Sequence, residues 1–485
     1  MRGKRVLFSL LLLSFFLVVA AENGIRLRSC RPMAEKSSVP LRHTARRAGG
    51  TNPYIGNRHQ LVVLVSFSDQ SFKGTEEETM GLWGKIFNAE NLSEEPYVGS
   101  IHDYFYAQSY KQFNLTFDLY YIPLSESCVK YRSEDPRYGD EAESDENSRY
   151  LVYDIVDVLA TKDIDWSQYD WDDDGYINQL LIVYAGKGMN AGGGANTIWP
   201  HQWWLSEHEG KTTRTVTSGG QSYTIDCYCC VQEEINYLGI KSSFGTICHE
   251  FSHCFGFPDF YVGGSTVREW DLMDYGNNNG QGYCPAGYSA HERMLMGWLE
   301  PTELTSEATI TAMPALGEES KAYLIRNDGY ANEYYIIENR QPQVWDASLP
   351  GSGIVVFHID YDKDVWQSGT PNVGTKRYCI IPANNKTSTS YQSGWAYPYG
   401  DNNCLTNESE PAATLYHTNT DGTKLMSKPL TNLSLTDGLA SFDFMGGSTG
   451  ILERKMIGQP KILFDFGPIH IIRNAQGEIK KVMKH

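Results

Sequence analysis

Two histidines and two acids lie within one short segment whose spacing suits a metal site. The segment is HEFSHCFGFPD, which runs from His249 to Asp259. In a helix, His249 and His253 project one turn apart on the same side, close enough to bind one zinc ion. Gly256 can end the helix and turn the chain, so that Asp259 adds a third ligand. Three protein ligands leave one position open for water, as in catalytic zinc sites.

Glu250 follows the first of these histidines and is the candidate general base and acid. It can take a proton from the catalytic water and pass it to the leaving amine, while zinc polarises the scissile carbonyl. This chemistry hydrolyses a peptide bond without a covalent intermediate. The alternative is a helix with two unrelated histidines on its solvent side, which has no need of Gly256 or Asp259.

A methionine and a tyrosine follow in the segment WDLMDYG, fourteen residues beyond Asp259. This segment resembles the tight turn of metzincins, in which a methionine lies beneath the zinc site. In some metzincins a tyrosine two residues later approaches the metal or binds the oxyanion of the transition state. The resemblance implies that Met273 is a structural Met-turn residue and that Tyr275 is catalytic. Without the zinc motif, such a methionine would indicate simple packing.

The acid-rich turn DWDDDGYIN is similar to a calcium-binding loop. Asp170, Asp172 and Asp174 stand at alternate positions, a glycine follows for the sharp turn, and Asn178 occupies the ninth place. The twelfth place is Leu181, which cannot supply the carboxylate of an EF-hand. We therefore expect a calcium site here, with a solvated Asp-Gly turn as the alternative.

The helix that carries the zinc motif needs a core on its other side. Five apolar residues fall within an arc of roughly 100° opposite the histidines; they are Phe244, Ile247, Cys248, Phe251 and Phe255. Apolar spacing predicts a second, packing helix over residues 147–160, and β-type runs predict strands at 61–67, 114–121 and 180–185. Beyond about Pro301, short β-type runs broken by turn residues predict a β-sandwich-like region.

A chain of 485 residues is too long for one hydrophobic core, so we expect several folded units. The predicted units are a signal peptide at 1–21, a pro-segment at 22–49, a catalytic domain at 50–301, a β-rich domain at 302–446 and a tail of unknown role at 447–485.

The N-terminus has the pattern of a secretory signal. Basic residues precede an apolar run from Val6 to Val19, and Ala20 and Ala21 follow. A retained signal anchor is the alternative. No later run approaches the roughly 20 apolar residues of a membrane span. The sequence thus predicts a secreted or cell-surface protein with no transmembrane span after signal removal.

Cys30 lies in the predicted pro-segment between Arg28 and Arg31, whose charges favour the thiolate that zinc prefers. A thiolate in the open zinc position would keep the enzyme latent until cleavage near Arg46 and Arg47. Pairing of Cys30 with another cysteine is the alternative.

The charge balance is strongly acidic. The whole chain carries −18, and the part after residue 47 carries −26, because the first 47 residues hold 10 Lys and Arg against 2 Asp and Glu. Such a surface argues against nucleic acid as a partner and is compatible with calcium. The ten cysteines include the cluster CYCC at 227–230, which could form disulfides, remain as reduced thiols or bind a second metal.

Taken together, these segments resemble the immune inhibitor A family of bacterial metzincin zinc metallopeptidases over roughly residues 60–445. Further matching segments are IWPH at 198–201, YSAHERMLMGWLEP at 288–301, YYIIENRQ at 334–341 and GIVVFHID at 353–360. The resemblance implies an α+β fold, with a mixed sheet, a backing helix and an active-site helix ahead of the β-rich domain. It implies a secreted zinc endopeptidase that acts on protein or peptide substrates.

Two other functions compete with this interpretation. One is a hydrolase with the same HExxH motif but a distant glutamate as third ligand, against which Gly256 and Asp259 argue. The other is a non-catalytic surface adhesin that keeps the fold. The intact Glu250 argues against an adhesin, since a binding module has no use for a general base.

Overall fold

A computed structural model describes residues 52–133, 147–208, 210 and 212–447, together with three strands between residues 461 and 483. The predicted signal peptide and the whole predicted pro-segment, including Cys30, lie outside the described residues. The expectations for them stay predictions.

The described α-helices are α1 Glu76–Asn88, α2 Ile101–Gln108, α3 Ser148–Leu159, α4 Phe244–Ser252, α5 Ala290–Met296 and α6 Lys363–Gln367. The strands of the first half are β1 Gly56–Ser66, β2 Phe113–Pro123, β3 Tyr176–Ile177, β4 Leu180–Lys187, β5 His201–Trp204, β6 Arg214–Ser218, β7 Gln221–Ile225, β8 Cys227–Tyr237 and β9 Ile240–Ser242. The later strands are β10 Thr302–Glu303, β11 Ala308–Met313, β12 Tyr323–Asn327, β13 Tyr330–Arg340, β14 Gly353–Asp360, β15 Tyr378–Ile380, β16 Leu430–Thr436, β17 Leu439–Phe444, β18 Lys461–Asp465, β19 Ile469–Arg473 and β20 Ile479–Met483.

A mixed sheet forms the centre of the first half. Its strands run in the order β2-β1-β4-β8-β5, and β9 also pairs with β8. Strand β1 is parallel to β2 and β4, and β4 is parallel to β8, whereas β5 and β9 are antiparallel to β8. The β-branched run from Leu61 to Val65 is fully buried, as expected for a central strand with both faces covered.

The two faces of this sheet pack against different helices. Leu61 and Val63 of β1 share a core with Leu151, Ile155 and other apolar residues of α3. The alternate residues of β1 share a second core with Ile247, Phe251 and the rest of the apolar side of α4. Side chains alternate across a strand, so the sheet separates α3 from α4. The helix predicted at 147–160 is thus present, and it backs the sheet opposite the zinc motif.

The second half contains two packed sheets. A five-stranded sheet has the order β10-β12-β13-β14-β15, and a three-stranded sheet has the order β11-β17-β16. On β14, Ile354 and Val356 join a core shared with the three-stranded sheet. Val355 and Phe357 join the core that contains α4. Both faces of the five-stranded sheet are therefore buried, and a domain boundary at residue 301 stays a prediction.

Strands β18, β19 and β20 form an antiparallel sheet in the predicted tail. None of the helices in the described ranges combines the length and the apolar composition that a membrane crossing needs. The nine cysteines in the described ranges form no disulfide with one another. Within the same ranges, the groups of three clustered ligand side chains include no cysteine.

Candidate metal centre

Helix α4 carries His249 and Glu250 in the protein interior. All of its residues are buried, and its apolar side packs in the core as predicted. The helix ends at Ser252, and a short 3-10 turn of His253–Phe255 leads to Gly256. Gly256 has φ 90° and ψ 16°, a left-handed conformation that glycine adopts without steric cost. The glycine predicted to end the helix is confirmed in that place.

The three predicted ligands converge on one point. His249 Nε2 lies 3.0 Å from Asp259 Oδ1, and His253 Nε2 lies 3.5 Å from the same oxygen. One ligand atom from each of the three side chains fits within 4.8 Å of the others. The helix spacing and the turn after Gly256 have thus brought together residues that are ten positions apart.

Backbone carbonyls hold both histidine rings in one orientation. His249 Nδ1 lies 2.8 Å from the carbonyl oxygen of Leu272, and His253 Nδ1 lies 2.6 Å from that of Phe257. A carbonyl oxygen only accepts hydrogen bonds, so each Nδ1 must carry the proton. When the ring is neutral, its Nε2 lone pair faces the point of convergence, as in metal-ligating histidines.

The electrostatics of these three groups fit a cation. Burial lowers the pKa of His249, but the hydrogen bond and charge of Asp259 outweigh burial and raise it to about 8. Burial lowers the pKa of His253 to about 4. Without a metal, His249 is therefore protonated at neutral pH and His253 is neutral, and both lie beside the carboxylate of Asp259. A divalent metal can take the place of the proton between His249 and Asp259, and two imidazoles with one carboxylate suit zinc.

Glu250 lies next to this group of ligands. Its side chain is fully buried, and Oε2 lies 3.9 Å from His253 Nε2. The charge of Glu250 also contributes to the raised pKa of His249. The structure thus places a carboxylate at the edge of the metal site, one residue after its first ligand.

The loop around Met273 is fixed against the metal site. The Leu272 carbonyl holds His249, and the Met273 carbonyl accepts a hydrogen bond of 2.9 Å from the backbone N–H of Phe260, next to Asp259. The Met273 side chain is fully buried. This loop therefore contacts both the helix ligand and the segment that delivers the third ligand.

Tyr261 is a residue that the sequence motifs did not indicate. Its ring is nearly parallel to that of His249, with centroids 6.4 Å apart. Its ring also stacks on that of Tyr275, with centroids 5.8 Å apart. Tyr275 thus belongs to the same group of contacting rings as Tyr261 and the candidate ligand His249. The only sequence signal is its position two residues after Asp259.

The predicted calcium loop brings three of its four candidate ligands together. Carboxylate oxygens of Asp170, Asp172 and Asp174 fit within 4.8 Å of one another. Burial raises the pKa of Asp170, whose oxygens accept hydrogen bonds from the backbone of this loop. Asn178 Oδ1 accepts a hydrogen bond of 2.5 Å from the backbone N–H of Trp171. The structure therefore gives Asn178 a loop-closing contact.

Comparison with known proteins connects this site to a peptidase family. The family model for the catalytic domain of immune inhibitor A peptidase M6 matches residues 57–297. The chain is 24% identical to immune inhibitor A of Bacillus thuringiensis subsp. alesti over 275 residues, which are 48% of this chain and 38% of that protein. It is 25% identical to the pre-pro-metalloprotease PrtV of Vibrio cholerae serotype O1 over 279 residues, which are 49% of this chain and 29% of that protein.

These matches span well under half the length of either relative. The matched segment of this chain contains the mixed sheet, helices α1 to α5 and the three converging side chains. Residues 57–297 therefore belong to the immune inhibitor A peptidase M6 catalytic-domain family, and the family resemblance predicted from the motifs is confirmed.

Proposed function

We propose that the chain is a secreted zinc-dependent endopeptidase of the metzincin type that hydrolyses peptide bonds of protein substrates. The observation that carries this proposal is the convergence of His249, His253 and Asp259, with both Nδ1 atoms held by carbonyls. The M6 family match supports a metallopeptidase.

Each residue of the site has a distinct part in the proposed mechanism. His249, His253 and Asp259 hold zinc, which when bound polarises the scissile carbonyl and acidifies the attacking water. Glu250 takes the proton from that water and gives it to the leaving amine. Its burial beside His253 keeps bulk water away from the proton that it carries.

The Met-turn assignments also become proposals about this site. Met273 packs beneath the ligands, and its loop holds the His249 ring through Leu272. Tyr275 donates a hydrogen bond to the oxyanion as the peptide carbonyl becomes tetrahedral. Its stacking on Tyr261 supports a fixed position for that hydroxyl.

We also propose that Asp170, Asp172 and Asp174 bind calcium, because three carboxylates in one turn repel one another without a cation. Asn178 contributes by closing the loop. A solvated turn remains the competing interpretation. Secretion, removal of residues 22–49 and latency through Cys30 stay predictions of the sequence.

The proposed activity can be tested by digestion of casein or gelatin with the processed protein. We expect cleavage that stops with a zinc chelator and returns with added zinc, but not with added magnesium. Cleavage that persists in chelator, with zinc confirmed to be absent, would contradict the proposal.

A further inference from the structure

A cysteine, a histidine and a glutamate lie together on the face of the five-stranded sheet that is turned away from the metal centre. Cys379 of β15 stands directly opposite His358 of β14 in the antiparallel register, so both side chains are on one face. Tyr378, the neighbour of Cys379, stacks on Phe260 at 3.9 Å on the metal-centre side. Successive side chains of a strand point to opposite faces, so Cys379 points away from the metal centre.

The glutamate of this group is a buried and fully hydrogen-bonded carboxylate. Glu333 Oε1 lies 2.8 Å from His358 Nε2. Glu333 also accepts hydrogen bonds from the backbone N–H groups of Tyr416 and His417 and from Asn327 Nδ2. Burial raises the pKa of Glu333, but these hydrogen bonds, with that of His358 the largest, outweigh burial and lower it. Glu333 is therefore ionised and orients the histidine ring.

The histidine connects this carboxylate to the thiol. Cys379 faces His358 across the strand pair, and its Sγ lies 3.9 Å from the His358 carbonyl oxygen. Burial lowers the pKa of His358, but the contacts with Cys379 and Glu333 outweigh burial and raise it to about 9. The ring of Tyr416 stacks on His358 at 4.6 Å and restricts it further. A protonated imidazole beside a thiol favours the thiolate, which is the nucleophile.

The order of the three residues from surface to interior suits a reactive thiol. Cys379 is half-buried, whereas His358 and Glu333 are buried. The nucleophile is outermost, the base lies beneath it and the orienting carboxylate is innermost, as in activated cysteines of other proteins. Cys404 is half-buried as well, but it packs against an apolar core. The chain thus offers a matched thiol of similar exposure in a different environment.

We propose that Cys379 is a nucleophilic thiol, activated by His358 and oriented through Glu333, that exchanges with small disulfides. The Cys379 thiolate attacks one sulfur of the disulfide, the S–S bond breaks, and a mixed disulfide forms on Cys379. The other sulfur leaves as a thiolate and takes up the proton that His358 held. No further oxidant is needed, and the reaction is independent of the metal centre.

The test is timed labelling of the full chain with 5,5′-dithiobis(2-nitrobenzoate), a small disulfide, followed by peptide mass mapping. A zinc chelator is present throughout, so that proteolysis does not interfere. We expect Cys379 to react at least about tenfold faster than Cys404 in the native protein. Equal rates at the two cysteines would overturn the proposal.

His358→Asn and Glu333→Gln separate activation from simple exposure. Each should slow labelling of Cys379 by about tenfold or more, while the rate at Cys404 stays at the wild-type level. An unchanged rate at Cys379 in His358→Asn would also overturn the proposal. A variant that unfolds would show faster labelling of Cys404 and of the buried Cys248. In that case the ratio of the Cys379 and Cys404 rates in the wild-type protein tests the proposal.

Discussion

The hydroxyl of Tyr378 donates a hydrogen bond of 2.7 Å to Asp271 Oδ2. The other oxygen of Asp271 accepts the backbone N–H of Met273 at 2.8 Å. Leu272, between them in sequence, supplies the carbonyl that holds His249. A strand of the second half therefore braces the loop that orients the first candidate ligand.

Replacing Tyr378 with Phe should weaken both the fold and the metal site. Leaving a buried hydrogen-bonding group without its partner costs about 1–3 kcal/mol, so the free energy of unfolding should fall by about that amount. Zinc affinity should fall about tenfold, because the Leu272 carbonyl that orients His249 is then held less firmly. Urea unfolding and equilibrium dialysis measure the two effects, with Tyr399→Phe on an exposed tyrosine as control. Reduced stability with unchanged zinc affinity would confine the role of Tyr378 to the fold.

Replacing Glu250 with Gln should leave zinc bound and remove activity. The amide keeps the shape of the side chain but cannot carry the proton, and general acid–base catalysis contributes about 10²–10⁴-fold. Rates of casein cleavage at saturating zinc measure the loss. Glu318→Gln, an exposed change, should retain full activity. Retention of more than about a hundredth of the wild-type rate in Glu250→Gln would contradict the assignment.

Asp259→Ala should instead lower the zinc content. The variant loses the oxygen that approaches both histidine nitrogens, so two ligands remain where a structural or catalytic zinc site needs at least three. Metal analysis after dialysis against a fixed free-zinc concentration provides the measurement. Glu250→Gln is the matched control, since it removes a carboxylate but keeps the three ligands. Wild-type zinc content in Asp259→Ala would place the third ligand elsewhere.

Replacing Asp172 and Asp174 together with Ala should remove any calcium-dependent stability. Calcium that binds only the folded state stabilises it by about 2.7 kcal/mol when its free concentration is about 100 times Kd. Melting temperatures with and without calcium test this. Asp173→Asn removes a charge of the same loop outside the cluster and suits its φ of 56°. If the melting temperature of the wild-type protein is the same with and without calcium, the solvated turn is favoured.

The convergence of the three candidate ligands was predictable because its determinants are local. The spacing of His249 and His253, the left-handed Gly256 and the nearby Asp259 are all read within eleven residues. The apolar side of α4 and the helix α3 follow from the same periodicity. These features need no knowledge of distant parts of the chain.

The contacts between the halves were not predictable from spacing. Tyr378 meets Asp271 across 107 positions, and no local pattern distinguishes this tyrosine from the other tyrosines of the chain. Tyr261 was missed because its contact with the site is the stacking of its ring on His249, and no sequence spacing predicts such stacking. Asn178 matched the ninth place of a calcium loop, but its side-chain oxygen accepts a hydrogen bond from the Trp171 backbone. Asparagine favours both roles in a turn, so the sequence alone did not separate them.

The double-sided burial of the five-stranded sheet has a consequence for how the protein is made. The backbone N–H of Ala290, at the start of α5, donates to Glu338, and the carbonyl of Gly287 accepts from Arg340. These partners leave the ribosome well after the residues of the family match, which ends at 297. The loop around Met273 can form its hydrogen bond to Tyr378, through Asp271, only after Tyr378 has been synthesised. During translation, the complete set of contacts around the candidate site can therefore form only after the strands beyond residue 301 have been synthesised and have packed against the first half.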